Sequence, residues 1–111
     1  MSDELPVVEF SSGNLWADIG RPDADEALAR AELMSRVTDI IRQRRLTQAR
    51  AAEILGTNQP TVSDLMRGKM SKFSLERLIS FLNALDRDVE ITVRRRPAGS
   101  NRAARFVVTG D

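Results

Sequence analysis

The sequence predicts one mostly α-helical domain that ends in a β-strand. Three observations support this fold class: apolar residues at helical spacing over 23–44, two short helical patterns on either side of Gly56, and alternating apolar and polar residues over 89–94. The chain has 111 residues, 41% of them hydrophobic, which is enough for one small core. Three parts are therefore expected: an N-terminal arm at 1–22, a helical domain with its strand at 23–94, and a flexible basic tail at 95–111.

The N-terminal arm is predicted to be irregular, apart from a candidate strand at 7–10. Trp16 and Ile19 lie in its second half. A polar arm has little other use for two large apolar side chains, so we expect both to anchor the arm across the core. The alternative for Trp16 is contact with a partner protein.

A long helix is predicted from Pro22 and Asp23 to about Arg44. Proline suits the start of a helix, and acidic side chains in the first turn are favourable at its positive end. Leu33 and Ile40 widen the apolar stripe of this helix, so a second subunit is expected to cover part of it. The stripe itself consists of Ala24, Ala27, Leu28, Ala31, Met34, Val37 and Ile41.

Two short helices joined by a tight turn are predicted over residues 47–69. Thr47 is a suitable N-cap for the first helix, and Gly56 ends it because glycine adopts the left-handed conformation without a Cβ penalty. Asn58 can cap the second helix, and Pro60 is tolerated in its first turn. The residues predicted to face inward, which include a small alanine that permits a close helix crossing, are Ala51, Ala52, Leu55, Val62 and Leu65.

A last helix and a strand are predicted to complete the domain. Ser74 caps the helix, whose expected buried face consists of Leu75, Leu78, Ile79, Leu82 and Leu85. The following segment alternates, with Val89, Ile91 and Val93 on one face, as is typical of a half-buried strand. A strand needs a neighbour. The candidates are residues 7–10, residues 105–109 and the same strand of a second chain, and we expect the second chain.

The stretch 47–69 resembles the helix-turn-helix of the Xre/Cro repressor superfamily. The matching positions are Gln48, Ala52, Gly56, Val62 and Leu65, followed by the closing tripeptide Arg67-Gly68-Lys69. The resemblance implies a five-helix-type, lambda-repressor-like fold and a sequence-specific DNA-binding transcriptional regulator. The alternative is a generic helical hairpin whose outer faces are merely polar.

By this resemblance, the second helix of the motif lies in the major groove of double-stranded DNA. The residues implied to contact bases are Gln59, Pro60, Thr61, Ser63 and Asp64. Gln59 suits adenine and Thr61 suits thymine. Asp64 can accept from cytosine but is repelled by phosphate, so its expected role is to select against some sequences or to pair with a lysine or arginine on the helix surface. The residues implied to contact phosphates are Thr47, Gln48, Asn58, Arg67, Lys69 and Lys72. One such helix spans few base pairs, so a homodimer on an inverted-repeat operator is expected.

A second resemblance covers residues 11–94. The order of elements, the segment GKMSKFSLERL at 68–78 and the segment DRDVEI at 86–91 are similar to small HigA-like antitoxins of toxin–antitoxin systems. This resemblance implies a protein that neutralises a RelE-like toxin, a ribonuclease, and represses its own operon. The alternatives are a solitary Xre-family repressor and a protein-binding module that has lost DNA recognition.

Composition excludes several other classes of function. The chain has no cysteine and no histidine, which excludes disulfides, thiol catalysis and the common soft-metal sites, and no cofactor is expected. No carboxylates form an isolated pair with apolar flanks, so we do not expect an enzyme. The sequence shows no secretory signal and no apolar run near the roughly 20 residues that span a bilayer. A cytoplasmic protein without a membrane segment is expected.

Charge is distributed unevenly along the chain. Residues 1–41 contain nine acidic and three basic side chains, a net charge of −6, whereas residues 42–111 contain seven acidic and fourteen basic side chains, a net charge of +7. The basic part includes the helix-turn-helix and suits phosphate, while the acidic part suits a basic protein partner. The alternative for the acidic part is that its charges only solvate the surface.

Overall fold

Four α-helices and a three-stranded sheet form the described part of the chain. A computed structural model describes residues 7–11, 23–95, 98–99 and 106–110. The elements in chain order are β1 (Val7–Ser11), α1 (Asp23–Gln43), α2 (Gln48–Leu55), α3 (Gln59–Met66), a 3₁₀ turn (Met70–Lys72), α4 (Leu75–Ala84), β2 (Glu90–Arg94) and β3 (Phe106–Thr109). The mostly helical prediction is confirmed, including the turn between α2 and α3. Trp16 and Ile19 lie outside the described residues.

Helix α1 has the predicted extent, but its buried face is rotated from the predicted stripe. Leu33 and Val37 are fully buried and Ile40 is nearly so, all within the core of their own chain. Leu28, which we placed in the stripe, is 68% exposed. At roughly 100° per residue, Leu28 lies about half a turn away from Val37, so both cannot face one core. Leu33 and Ile40 thus belong to the core of their own chain, and the expectation that a second subunit covers part of the predicted stripe stays a prediction. The side chain of Ala24 is not described.

The core joins all four helices and includes two aromatic rings that the predicted pattern omitted. Phe73 and Phe81 are 2% and 4% exposed, and their rings make an edge-to-face contact with centroids 6.1 Å apart. Leu78 is fully buried as predicted, whereas Leu75 and Ile79 are only partly buried at the margin of the core. The face of α4 that meets the other helices is therefore centred on Leu78 and Phe81.

The sheet has the strand order β2-β1-β3. Strand β1 pairs parallel with β2 and antiparallel with β3. Four helices separate β1 from β2 along the chain, a long crossover connection of the kind that parallel pairing requires. Residues 7–11 are thus a neighbour of β2 within one chain, and the expected pairing of β2 with a second copy stays a prediction for its other edge. The expectation of a flexible tail is wrong for residues 106–109, which form β3.

The apolar face of β2 is largely exposed, although the sequence predicted that it is buried. Ile91 and Val108 are both register partners of Val8, so these two residues lie on the same face of the sheet. Val108 packs against the core, and α1 contacts β3. Ile91 and Val93, on the edge strand at the far side of β1, remain 50% and 69% exposed. The helices cover one edge of the apolar face and leave the other in solvent.

Candidate nucleic-acid interface

Helix α2 is capped at both ends by local hydrogen bonds, and its C-terminal cap forms the turn to α3. The Thr47 hydroxyl accepts a hydrogen bond from the backbone N–H of Arg50 at 3.1 Å, as an N-cap does. Gly56 has φ 71° and ψ 34°, the left-handed conformation, and the Thr57 N–H donates to the Ala52 carbonyl at 2.9 Å. Both predicted helix ends are confirmed.

Helix α3 is held by its cap and by its buried side. The Asn58 side-chain oxygen accepts from the backbone N–H of Thr61 at 2.8 Å, and Pro60 lies in the first turn. Val62 and Leu65 are 0% and 1% exposed, so they fix the rotation of α3 about its axis. Residues on the opposite side of this short helix therefore point away from the core in a defined direction.

The residues predicted to contact bases all lie on α3 and are accessible to different degrees. Gln59 and Pro60 are exposed, whereas Thr61, Ser63 and Asp64 are partly exposed. Their chemistry comprises an amide, a small apolar ring, two hydroxyls and a carboxylate, which together can contact the polar edges and methyl groups of a major groove.

The residues predicted to contact phosphates surround α3. Thr47 and Gln48 open α2, Asn58 precedes α3, and three exposed cations, Arg67, Lys69 and Lys72, follow it. The caps use the side-chain oxygens of Thr47 and Asn58 as acceptors. The hydroxyl and amide hydrogens of these side chains stay available as donors to a phosphate oxygen. Capping and phosphate binding are therefore compatible at both positions.

Asp64 makes ion pairs with two of these cations. The Lys72 ammonium donates to one carboxylate oxygen at 3.0 Å, and the Lys69 ammonium lies 3.3 Å from the other oxygen. The hydrogen bond from Lys72, supported by the charge of Lys69, lowers the pKa of the Asp64 carboxyl below its ordinary value. Of the two roles predicted for Asp64, the pair with nearby lysines is the one present in the protein alone.

Sequence comparison places this geometry in a known family. Residues 15–94 match the profile of a family described as a helix-turn-helix domain. The chain belongs to that family. A solved structure described as a candidate XRE-family transcriptional regulator is 46% identical, with a TM-score of 0.73, and the match covers 79% of this chain and 98% of that one. The helix-turn-helix chain is thus of the Xre type, as its motif indicated. No curated protein matches it.

Arg77 supports the helix-turn-helix but was not among the predicted residues. Its guanidinium lies 5.4 Å from the ring centroids of both Phe73 and Phe81, and it donates to the Thr57 hydroxyl at 3.4 Å. It therefore connects α4 to the turn between α2 and α3. The spacing was a usable signal for Phe81 only, because residues four positions apart on α4 lie beside each other, whereas Phe73 precedes the helix.

The described residues contain neither a membrane-spanning helix nor a metal-binding cluster of side chains. None of the helices in this part of the chain is long and apolar enough to cross a membrane. Within the same residues, no three acidic side chains are grouped so that they could hold a metal ion.

Proposed function

We propose that this helix-turn-helix protein is a cytoplasmic transcriptional regulator that binds a specific DNA operator through α3. The observation that supports this most directly is the direction of α3, which is capped by Asn58 and fixed by Val62 and Leu65. Its outer side is polar and is surrounded by donors suited to phosphate. The solved structure that is 46% identical to this chain is described as a candidate transcriptional regulator, and it supports the same conclusion.

Four side chains on the outer side of α3 have proposed roles at the base edges: Gln59, Pro60, Thr61 and Ser63. Gln59 donates to N7 and accepts from N6 of adenine, and Ser63 exchanges a hydrogen bond with either type of base pair. Pro60 and the methyl group of Thr61 contact thymine methyl groups. These residues would provide discrimination among sequences, with roughly 1–3 kcal/mol for each well-formed bidentate pair.

The proposed phosphate contacts would set the register of α3 in the groove. The donors of Thr47, Gln48 and Asn58 hold one side, and Arg67 is the cation nearest the end of α3. Such contacts are independent of sequence and depend strongly on salt. Lys69 and Lys72 belong to the same group of proposed contacts, but their ion pairs with Asp64 reduce their contribution in the unmodified protein.

We also propose a homodimer in which β2 pairs with its own copy. The strand lies at the edge of the sheet and carries two exposed apolar side chains, Ile91 and Val93. An edge strand of this kind favours pairing with another strand. A two-fold dimer would supply the two recognition helices that an inverted-repeat operator requires.

The sequence of β2 fits one antiparallel register with its copy, centred on Thr92. In this register Glu90 lies opposite Arg94, Ile91 lies opposite Val93, and Thr92 lies opposite itself. All five residues are paired, the apolar side chains stay on one face, and opposite charges meet twice. Arg94 also interacts within its own chain, but a guanidinium has five donors and can serve both partners.

The further role that we propose is that of an antitoxin, which represses its own operon and neutralises a RelE-like toxin. Support comes from the resemblance of residues 11–94 to HigA-like antitoxins, including the segments 68–78 and 86–91. In the structure the first segment covers the turn between α3 and α4 and the first residues of α4, and the second leads into β2 and includes its first two residues. The alternative is a solitary Xre-type regulator, which would share the same fold and the same DNA contacts.

Selection of bound fragments from the source genome by the purified protein, at about physiological salt, tests these proposals. Recovery of an inverted repeat upstream of its own gene would support autorepression, and inhibition of a ribonuclease encoded beside that gene would support the antitoxin role. Sites recovered only elsewhere would favour the solitary regulator. Weak, salt-sensitive binding without enrichment would contradict sequence-specific recognition and favour a protein-binding module.

A matched pair of variants tests the assignment of α3. Replacing Gln59 and Thr61 with alanine should abolish sequence preference but keep the fold and the salt-dependent affinity. Replacing Ser35 and Ser80, two exposed residues outside the motif, with alanine should leave the sequence preference and the salt-dependent affinity unchanged. Equal sequence preference in the two variants would show that α3 does not recognise the operator.

A further inference from the structure

Asp64 makes ion pairs with two lysines that follow α3. Its side chain is 22% exposed, and those of Lys69 and Lys72 are 44% and 55% exposed. Each carboxylate oxygen is engaged by one ammonium group, at 3.3 Å and 3.0 Å respectively. The backbone N–H of Lys69 also donates to the Asp64 carbonyl at 3.1 Å. The acid and both lysines therefore form one compact group, the Asp64 clasp, at the end of α3.

The clasp is positioned where DNA phosphate would compete with it. Asp64 lies on the outer side of α3, away from the buried Val62 and Leu65, and the lysines extend over it from the following turn. A carboxylate and a phosphate oxygen present similar acceptors to an ammonium group. A lysine that donates to a phosphate must therefore weaken its bond to Asp64.

We propose that Asp64 acts as an internal competitor of DNA phosphate for Lys69 and Lys72, and thereby limits the sequence-independent part of DNA affinity. This inference rests on the proposed DNA-binding function. The physical reason is charge balance, because sequence-independent affinity grows with the number of phosphates that the protein neutralises. With the clasp closed, one negative charge offsets two cations beside the recognition helix. The strength of DNA binding would then depend on a residue that need not touch a base.

The main test is the salt dependence of DNA binding for Asp64→Asn, measured on the selected operator and on an unrelated duplex of equal length. Each lysine released to a phosphate adds about 0.9 to the slope of log affinity against log salt. The expected result is a slope steeper by about 1 to 2, and affinity on the order of tenfold higher at low salt, on both duplexes. Asp39→Asn makes the same chemical change on α1, where Asp39 pairs with Arg42 at 3.7 Å, and controls for net charge.

A second pair of variants tests whether the lysines are the cause. Replacing Lys69 and Lys72 with glutamine should change the slope little when Asp64 is present, and should remove the whole gain when Asp64 is asparagine. This dependence on background would not arise if Asp64 only stabilised the fold. Thermal unfolding of each variant checks that the domain is intact.

Three results would overturn the inference. An unchanged slope in Asp64→Asn would show that the lysines are not released to phosphate. A slope increase of equal size in Asp39→Asn would assign the effect to net charge. A change confined to operators with a particular base would make Asp64 a base contact. Failure of the unmodified protein to prefer its operator would instead contradict the proposed function, and the slope comparison on unrelated DNA would still test the clasp.

Discussion

The proposed dimer makes a sharp prediction, because the Thr92-centred register sets opposite charges against each other. Glu90→Arg places two arginines opposite each other at both symmetric positions, and Arg94→Glu places two glutamates there. Each substitution alone should weaken the dimer. When the two variant chains are mixed, every arginine faces a glutamate of the other chain, so the mixture should form a heterodimer.

The size of the effect follows from the number of pairs. An exposed cross-strand ion pair contributes roughly 0.2–1 kcal/mol, and like charges in the same place destabilise by a similar amount. A single substitution converts two favourable pairs into two unfavourable ones. The expected loss is about 2 kcal/mol, which weakens the dissociation constant of the dimer roughly 30-fold. Salt should reduce the difference, since both positions are exposed.

Sedimentation equilibrium over a range of concentrations measures the dissociation constants of the single variants and of their mixture. Two variants that associate like the unmodified protein would refute the register, and so would a mixture that associates no better than its components. Sensitivity to Asp88→Arg without sensitivity to Glu90→Arg would indicate a pairing shifted by two residues, with Asp88 opposite Arg94. That outcome would retain the dimer and reject the Thr92-centred register.

The remaining predictions concern the helix-turn-helix. Asn58→Ala should lower the free energy of unfolding in urea by about 1 kcal/mol, because the cap to Thr61 is lost. Asn58→Asp should keep the cap, but a binding titration should show weaker DNA binding because the carboxylate repels phosphate. Gly56→Ala should cost about 1 kcal/mol in the same denaturation assay, since φ is 71° and a Cβ would meet no neighbour within 4 Å. Arg77→Met should lower the free energy of unfolding by about 1 kcal/mol, because it removes the contacts of the guanidinium with two aromatic rings. Because the pKa of Asp64 is lowered in the folded state, its ionised form stabilises the fold fully at pH values above the ordinary pKa of an aspartate. Thermal unfolding should show this stability being lost as the pH falls through the folded-state pKa.

The helix ends were predictable because their causes lie within a few residues of each other. Thr47, Asn58 and Ser74 each accept from the N–H three residues ahead, and Gly56 takes up the left-handed conformation. Such signals are local in sequence and need no knowledge of the tertiary structure. The position of the proposed DNA-contacting residues on and around α3 followed directly from them.

Burial was less predictable where one helix has two apolar sides. On α1, an apolar stripe that includes Leu28 is as regular as one that includes Leu33 and Ile40. The structure buries the second set because α3, α4 and β3 pack on that side. Periodicity identifies an amphipathic helix, but the choice between two overlapping stripes depends on which neighbours arrive.

Strand pairing was predictable only as a need for a partner. Alternation identified β2 but contained no information on whether residues 7–11, residues 106–109 or a second chain would lie beside it. In the structure β1 occupies one side of β2, and the exposed Ile91 and Val93 remain. A strand has two edges, so the observed pairing of β2 with β1 is compatible with the proposed pairing of β2 with its copy in a second chain.

Electrostatics around α3 shows why counting basic residues is not enough to describe a DNA-binding surface. By sequence, Arg67, Lys69 and Lys72 are three equivalent cations after α3. In the structure two of them share the carboxylate of Asp64, from five and eight residues away, so their charge is partly compensated before DNA is present. The sequence indicated that Asp64 could pair with a nearby cation. It did not indicate these two lysines, because spacings of five and eight residues across a turn match no helical repeat. The affinity of such a surface depends on how many cations DNA can withdraw from their internal partners, and Asp64→Asn measures that number directly.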